Sequence, residues 1–486
     1  MKKTYVMIVL IISSALLSCT DNLEKDPIGL LTLDQVESNP TISTLETSVL
    51  NSYQPLTTTM NVIAGVWQWS RGTVFRPDVV LSDMAANDML KKWNPDGDQP
   101  WMDEVANLSF TAENGAFNGI WVYNYEGIAR VNIAISFLGN SETVNATGMS
   151  EARKNELLGQ AFFLRAFYYF DLLNNFGGVP LFSEPLASLG DVLDASTRAT
   201  ADQIRDQVNA DLTKARTLLT DTKYADPAQP WRVSKGAVIA LQAKVALYIE
   251  DWGTVLSLIG QLDGLGFYGL NPNYFDSFDV NKEFIENEDI FVYDHVNNTS
   301  PDNSNGIRRT IGWGFIGITD NFLDEFEAND PRLLYTVDVD RRIANKIIGS
   351  TTELVNTGNK IYIRYADVLL WKAEALNKTG DYTGAVAIIN EIRKRARTSP
   401  TADGSVVPSG TLPDRGASTN PSEIMGWLMH ERRVELGFES HRFNDLKRWG
   451  TAASELLNFQ DKHNLYPIPQ EEIDKTGGAI AQNPGY

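Results

Sequence analysis

Side chains that could carry acid–base chemistry are concentrated near the C-terminal end of the sequence. The cluster includes Glu431, Arg432, Arg433, Glu435, Arg442, Asp445 and Arg448. Acidic and basic residues that alternate on adjoining helices usually pair with one another at the edge of a core, and such ion-pair networks also form away from active sites. We therefore interpret this cluster as structural rather than catalytic.

Motifs for zinc-dependent or nucleophilic hydrolysis are incomplete. His430 and Glu431 begin like the helix of a zinc metalloprotease, but Val434 stands where the second histidine ligand is required. The sequence has no G-x-S-x-G motif. Glycoside hydrolysis needs only two carboxylates, and 62 acidic residues could always supply them, so residue counts leave that reaction open.

The motifs for a calcium-binding loop and for a dinucleotide-binding loop are also incomplete. Residues 94–98 carry Asn and Asp at the spacing of a calcium loop, but Gln99 and Val105 replace the glycine and the glutamate that such a loop needs. Glycines at 264–269 and 312–317 have dinucleotide-loop spacing without the surrounding βαβ unit. We predict no metal and no cofactor.

Aromatic and short polar residues alternate within one stretch, residues 54–113, which proline and glycine interrupt repeatedly. Trp93 and Trp101 flank a polar run that contains Asn94 and Asp96. An indole can cover the apolar face of a sugar ring, while amide and carboxylate groups bond to its hydroxyls. Large aromatics are more often buried in a core, so packing is the alternative role for each tryptophan.

Helical periodicity indicates the scaffold that would position these residues. Residues 361–397 form two apolar-periodic runs separated by Gly380, which predicts an antiparallel helical hairpin of the tetratricopeptide type. The pattern recurs 130 residues earlier, within 231–262. Further helices are predicted at 43–53, 117–138, 155–176 and 202–219, with a last pair beginning near Glu423 and passing through Phe438 to Trp449.

These patterns predict a mostly α-helical protein with about four tetratricopeptide-like pairs in a single large domain. Long segments without helical periodicity interrupt the pairs at 54–113, 267–359 and 398–420. Irregular segments of this length inside a compact domain are usually functional or mobile. The formal net charge of −20 argues against a nucleic-acid partner, because phosphates require a basic surface.

The first residues predict export and lipid anchoring. Lys2 and Lys3 precede an apolar run over residues 5–17, which is too short for a membrane span and typical of a secretion signal. The only cysteine, Cys19, directly follows this run, as in the cleavage box of bacterial lipoproteins. We expect a signal peptide at 1–18, a lipidated N-terminus and tether at 19–42, and a folded domain at 43–486.

Five stretches of the sequence are more specific than these patterns. They are 165–180 (RAFYYFDLLNNFGGVP), 365–377 (YADVLLWKAEALN), 390–396 (NEIRKRA), 431–450 (ERRVELGFESHRFNDLKRWG), and a tail with YPIP at 466–469 that ends in QNPGY. In these motifs the chain resembles the RagB/SusD family of outer-membrane glycan-binding lipoproteins, over nearly all of its length from Cys19 to Tyr486.

The resemblance implies a non-catalytic helical body, lipid-anchored to the outer membrane and facing the cell exterior. It implies a SusC-like TonB-dependent outer-membrane transporter as the partner, which takes up the captured oligosaccharide or polysaccharide. The family's sugar sites lie on loops, and the matching regions here are 93–101 and 293–315. We predict stacking platforms at Trp93, Trp101 and Trp313, with Asn94, Asp96 and Arg308 as hydrogen-bonding partners.

Two other functions stay open at this level. Helical repeats can instead grip a protein or peptide on a concave face, without a sugar site. A hydrolase would require a carboxylate pair about 5 to 10 Å apart inside a deep cleft. An exposed cluster of aromatic side chains would favour glycan binding, and an exposed apolar patch without such a cluster would favour a peptide ligand.

Overall fold

The computed structural model describes residues 38–57, 77–92, 98–186, 189–293, 315–352 and 358–486. The protein is mostly helical. The helices of at least 12 residues are α1 (Ile42–Tyr53), α2 (Gly115–Gly139), α3 (Glu151–Phe176), α4 (Ala201–Leu218), α5 (Lys235–Tyr248), α6 (Trp252–Gly264), α7 (Tyr365–Thr379), α8 (Tyr382–Thr398) and α9 (Pro421–Leu436).

Short elements connect these helices. Strands lie at β1 (Met89–Lys91), β2 (Asp289–Tyr293), β3 (Ile316–Ile318) and β4 (Lys360–Arg364). Short helices lie at Pro77–Val79, Pro100–Ala106, Ser141–Thr147, Leu189–Asp194, Asp320–Leu323, Arg332–Thr336, Asn345–Ile348, Arg442–Arg448, Ala452–Glu455 and Gln470–Lys475. A π-helical turn lies at Val80–Met84, and 3-10 turns lie at Gln54–Thr57, Tyr274–Ser277 and Asp461–Asn464.

The first half of the chain is a helical layer in which α2, α3 and α4 pack side by side, with α1 across α2 and α3. The helices predicted at 43–53, 117–138, 155–176 and 202–219 are confirmed as α1 to α4. Asn114 and Ser150 explain where two of them begin, because each side chain accepts a hydrogen bond from a first-turn amide.

The predicted recurrence after 130 residues is confirmed by the hairpins α5–α6 and α7–α8. Each second helix begins at an aspartate, and its carboxylate accepts a hydrogen bond from a backbone amide three residues on. The distances are 3.1 Å from Thr254 N to Asp251 and 2.9 Å from Gly384 N to Asp381. Helices α6 and α7 are in contact, so the two hairpins stack as repeats do.

The start of the second hairpin differs from the prediction. Residues 361–364 belong to β4, which pairs antiparallel with β2, and α7 begins only at Tyr365. The short run Ile361, Tyr362 and Ile363 is apolar, β-branched and aromatic, and periodicity cannot tell such a run from a buried helical turn. Pairing with β2 decides its conformation.

The irregular segments contain ordered structure. Segment 267–359 supplies β2, β3 and several short helices, as predicted for an insertion of loops and short elements. Every residue from 399 to 420 is described, and none lies in a helix or strand. A continuous hydrophobic core joins α1 to α6 with the strands, and a second apolar cluster lies between α7, α8 and α9.

Gly127 tests how closely α2 and α3 must approach. A Cβ atom at this position would lie 2.4 Å from the Tyr168 ring, which is itself fully buried. We expect Gly127→Ala to destabilise the fold by about 1–3 kcal/mol, as overpacking does, and to lower the midpoint of thermal unfolding. Gly260→Ala in α6 is the matched control, because nothing lies within 4 Å of its added Cβ. Equal midpoints for the two variants would contradict this packing argument.

Candidate functional site

Strands β1 and β3 form a two-stranded antiparallel ribbon at the base of the two predicted binding loops. Met89 pairs with Ile318 and Lys91 pairs with Ile316. One residue further, the Lys92 amide donates a 2.8 Å hydrogen bond to the Phe315 carbonyl. The segment that begins at 93 and the segment that ends at 314 are therefore attached to neighbouring backbone positions, although more than 200 residues separate them in sequence.

Five of the six predicted ligand residues, Trp93, Asn94, Asp96, Arg308 and Trp313, lie outside the described residues. Cys19 lies outside them as well. Their predicted roles stay predictions. Sequence analysis included Phe315 in the predicted region 293–315, but it did not predict the pairing of Phe315 with Lys92, because backbone pairing does not depend on side-chain type.

Trp101 is described, and it is buried rather than displayed. It lies in the first turn of helix Pro100–Ala106 and is 6% exposed within the hydrophobic core. Its indole Nε1 donates a 2.7 Å hydrogen bond to Gln99 Oε1, and its carbonyl accepts one from Asn114 at 2.9 Å. An indole in this position presents little of its face to a sugar, which corrects the expectation of an exposed platform at residue 101.

The helix that contains Trp101 is fixed to the ribbon. Lys91 in β1 and Asp103 in the helix form an ion pair at 3.5 Å, and the Lys91 side chain is 1% exposed. Helix Pro100–Ala106 also contacts β1 directly. Trp101 therefore belongs to a helix that packs against β1, the strand that leads into the segment at 93–97.

None of the aromatic side chains in the described ranges is exposed. Tryptophans 101, 121, 231 and 371 are buried, and tryptophans 252, 427 and 449 are half-buried. Most described rings pack against other rings, for example Trp121 against Phe176 with centroids 5.3 Å apart. The scaffold uses its aromatic residues for packing.

The charged cluster of the second half is an ion-pair network, and it lies inside the core rather than at the predicted edge. Glu435 is fully buried and accepts hydrogen bonds from Arg332 at 3.2 Å, from Arg364 at 2.9 Å, and from Arg395. Burial by itself raises the pKa of this carboxyl, but the positive charges of Arg395, Arg364 and Arg332 outweigh burial and lower it to about 2. The predicted structural role of the ion pairs is confirmed.

Neighbouring pairs extend this network. Arg432 lies between Asp367 at 2.8 Å and Asp445 at 2.9 Å. Arg448 binds Glu374 at 2.6 Å. The partners come from α7, α9 and helix Arg442–Arg448, so the pairs lock these elements in register.

Arg433 carries the network to the base of the ribbon. Its guanidinium donates a 2.7 Å hydrogen bond to Asp88, the residue before β1. On the other strand, Thr319 follows β3, and its amide donates to the Asp88 carbonyl at 3.2 Å. Asp88 therefore holds the start of β1 through its side chain and the end of β3 through its carbonyl.

A polar cavity of about 100 Å³ lies between the two halves of the molecule. Asp78, Asp171, Lys244 and Glu439 are among its lining residues. Burial raises the pKa of Asp171 to about 6 in spite of its hydrogen bond from Asn124. The volume suits a few water molecules and is well below the roughly 300–1,000 Å³ of ligand pockets.

The described part of the chain contains no group of three or more His, Cys, Asp or Glu side chains placed to hold a metal ion. Across the same residues, no helix combines the length and the apolar composition needed to cross a bilayer.

The stacked helical hairpins, with short strands in the insertions between them, place the protein in the class of helical-repeat scaffolds. The family described as "Starch-binding associating with outer membrane" matches residues 37–247, and the family described as "SusD family" matches residues 341–464. Together these matches cover more than half of the chain. The protein belongs to the SusD/RagB family.

Known proteins are similar over more than nine-tenths of the chain. SusD-like protein P2 of Formosa agariphila is 25% identical, with 100% of both chains covered. Surface glycan-binding protein A from Bacteroides fluxus is 24% identical, with a TM-score of 0.73 over 92% of this chain and 100% of that one. Surface glycan-binding protein A from Bacteroides thetaiotaomicron, solved with laminarihexaose, is 22% identical, with a TM-score of 0.72 over 91% and 99% of the two chains.

Glu435 tests whether the network is structural. Its pKa is about 2 in the folded protein against an ordinary 4.5, so its contribution to stability is complete above pH 4.5 and falls as the pH drops toward 2. We expect Glu435→Gln to lower the free energy of unfolding by about 3–5 kcal/mol at pH 7, because three buried arginines lose the negative charge of the carboxylate that they share. The difference from wild type should shrink at pH 3, as measured by denaturant unfolding.

Glu423→Gln is the control for this experiment, because Glu423 is exposed at the start of α9. It should change stability by less than about 0.5 kcal/mol at either pH. A Glu435→Gln protein as stable as wild type at pH 7 would show that the buried charges do not depend on one another.

Proposed function

We propose that the protein captures oligosaccharide or polysaccharide at the cell surface and delivers it to a SusC-like TonB-dependent outer-membrane transporter. The observation that carries the proposal is the β1–β3 ribbon, which attaches the segments at 93–97 and 294–314 to adjacent backbone positions. Two segments distant in sequence can then contribute to one binding surface. The family assignment and the glycan-binding relatives support the same ligand class.

In this proposal Trp93 and Trp313 are the stacking platforms, and Asn94, Asp96 and Arg308 bond to sugar hydroxyls. One observation supports the choice of these two tryptophans. Lys92 and Phe315, which are hydrogen-bonded to each other, lie one and two residues from them in sequence. Trp101 serves beneath this surface as a packing residue.

A non-catalytic role fits the state of the charged residues. The carboxylates that resemble a catalytic cluster, such as Glu431 and Glu435, are fully buried and bound to arginines. The polar cavity that contains Asp78 and Glu439 is smaller than a ligand pocket, and Glu439 pairs with Arg364 at 2.8 Å. Neither place offers a free carboxylate pair in a deep cleft, as glycoside hydrolysis requires.

Attachment to the outer membrane through lipid on Cys19 is part of the proposal. The description of the family that matches residues 37–247 places its members at the outer membrane. Between Cys19 and the start of α1 at Ile42 the chain is long enough to reach on the order of 70 Å when extended. A tether of this reach would let the body meet a transporter beside its anchor.

Affinity electrophoresis in gels with soluble polysaccharides tests the proposal. We expect at least one glycan of a panel that includes laminarin and starch to retard the protein. Trp93→Ala and Trp313→Ala should each weaken binding about tenfold, equivalent to about 1.4 kcal/mol, because a sugar ring loses its stacking face. Circular dichroism should remain that of the wild type.

Trp252→Ala is the control, because Trp252 is a half-buried indole in α6, remote in sequence from both segments. It should leave retardation unchanged. If no polysaccharide retards the wild-type protein, glycan capture is wrong. If retardation survives in both loop variants, the ligand is bound elsewhere on the molecule.

A further inference from the structure

An apolar groove of about 580 Å³ runs along the outer face of α2. Its lining comes from α2, from residues between 180 and 196 and from residues between 472 and 480. None of its lining residues belongs to the β1–β3 ribbon or to the segments beside it. The groove is therefore a different surface from the proposed glycan site.

The floor and walls of this groove are hydrophobic and already formed. Trp121, Tyr125 and Phe182 make a continuous row, with ring centroids 4.9 Å and 5.6 Å apart. Leu186 and Leu193 also line the groove, and they are exposed to solvent at 37% and 40%. An apolar groove of this size favours an occupant with several apolar side chains.

Polar groups in the floor are occupied by the protein itself. The Tyr125 hydroxyl donates to the Pro180 carbonyl at 2.8 Å. The Asn132 amide donates to the carbonyls of Phe182 and Glu184 at 3.1 and 3.2 Å, and its oxygen accepts from Arg165. A ligand rich in hydroxyls would find few partners here, so the groove is a poor site for a sugar.

The rim carries negative charge. Three carboxylates, those of Glu126, Glu184 and Glu472, line the groove together with one ammonium group, that of Lys475. Glu472 is already paired with Lys475 at 2.7 Å, and Glu126 is paired with Arg130 at 2.8 Å. Glu184 is exposed and takes part in no ion pair with any described residue, so it is the rim carboxylate that an occupant can pair with. The rim therefore favours an occupant that places a lysine or arginine beside its apolar face.

We propose that this groove binds an amphipathic peptide segment of another protein, with apolar side chains on one face and a basic residue at its edge. Such segments dock an apolar stripe into a hydrophobic groove. Two other occupants have the wrong charge. Residues 20–37 of this chain carry five acidic residues and one lysine, and a second copy of the protein carries a formal charge of −20.

A fluorescent synthetic helix made of leucine and lysine is the probe, with a leucine–glutamate helix of equal length as its partner. Fluorescence anisotropy with the full-length protein should show binding of the lysine peptide alone. Leu186→Asp and Leu193→Asp should each weaken this binding at least about tenfold, as loss of an apolar anchor does. Glu184→Lys should weaken the lysine peptide and strengthen the glutamate peptide.

Two variants control for general attraction to an acidic protein. Leu457→Asp alters a leucine that is 98% exposed and does not line the groove, and Glu391→Lys reverses an exposed charge on α8. Both should bind the lysine peptide as the wild type does. Equal loss in the groove and control variants would overturn the proposal, as would equal binding of the two peptides.

Two further outcomes would also overturn it. If light scattering shows a dimer that Leu186→Asp dissociates, the groove is covered by a second copy. If deleting residues 20–37 alone creates peptide binding, the chain's own N-terminal segment occupies the groove. Polysaccharide in the gel should retard these groove variants as much as it retards the wild type. Loss of peptide binding can then be told apart from loss of glycan binding.

Discussion

Three arginines from different parts of the chain converge on the carboxylate of Glu435. Arg332 comes from a short helix of the long insertion, Arg364 from the end of β4, and Arg395 from α8. Removing four charges from water is expensive, and their mutual attraction offsets that cost only in good geometry. The insertion, the strand and two repeat helices can therefore bury this cluster only if all are docked in one arrangement.

The same constraint reaches the segments that we assign to ligand binding. Arg433 lies two residues before Glu435 on α9 and holds Asp88, which lies next to β1 and whose carbonyl accepts a hydrogen bond from the residue after β3. The ribbon is thus positioned by a helix almost 350 residues further along the chain. A binding surface keeps its geometry only when the groups beneath it are themselves fixed. Short strands of three residues would not supply that rigidity alone.

Sequence patterns predicted the helical part of this fold well, because its signals are local. Gly380 and Asp381 mark the turn of the second hairpin, and Asp251 marks the same turn 130 residues earlier. The partners of Glu435 were out of reach, because each arginine is tens of residues away and nothing local distinguishes it from a surface arginine. The burial of Trp101 could have been predicted from the residue before it. Pro100 is typical of the first turn of a helix, and such a helix tends to bury its apolar side.

The described aromatic residues serve the packing of the fold, and the proposed ligand contacts lie outside that packing. Within the described ranges the tryptophans, tyrosines and phenylalanines are buried or half-buried, so changing them would disturb packing before it altered a surface. The end of the ribbon is different, because Lys92 and Phe315 are joined by a backbone hydrogen bond, which does not depend on the type of side chain. In our proposal the ligand-binding side chains belong to the segments attached there, so replacing them leaves this hydrogen bond in place.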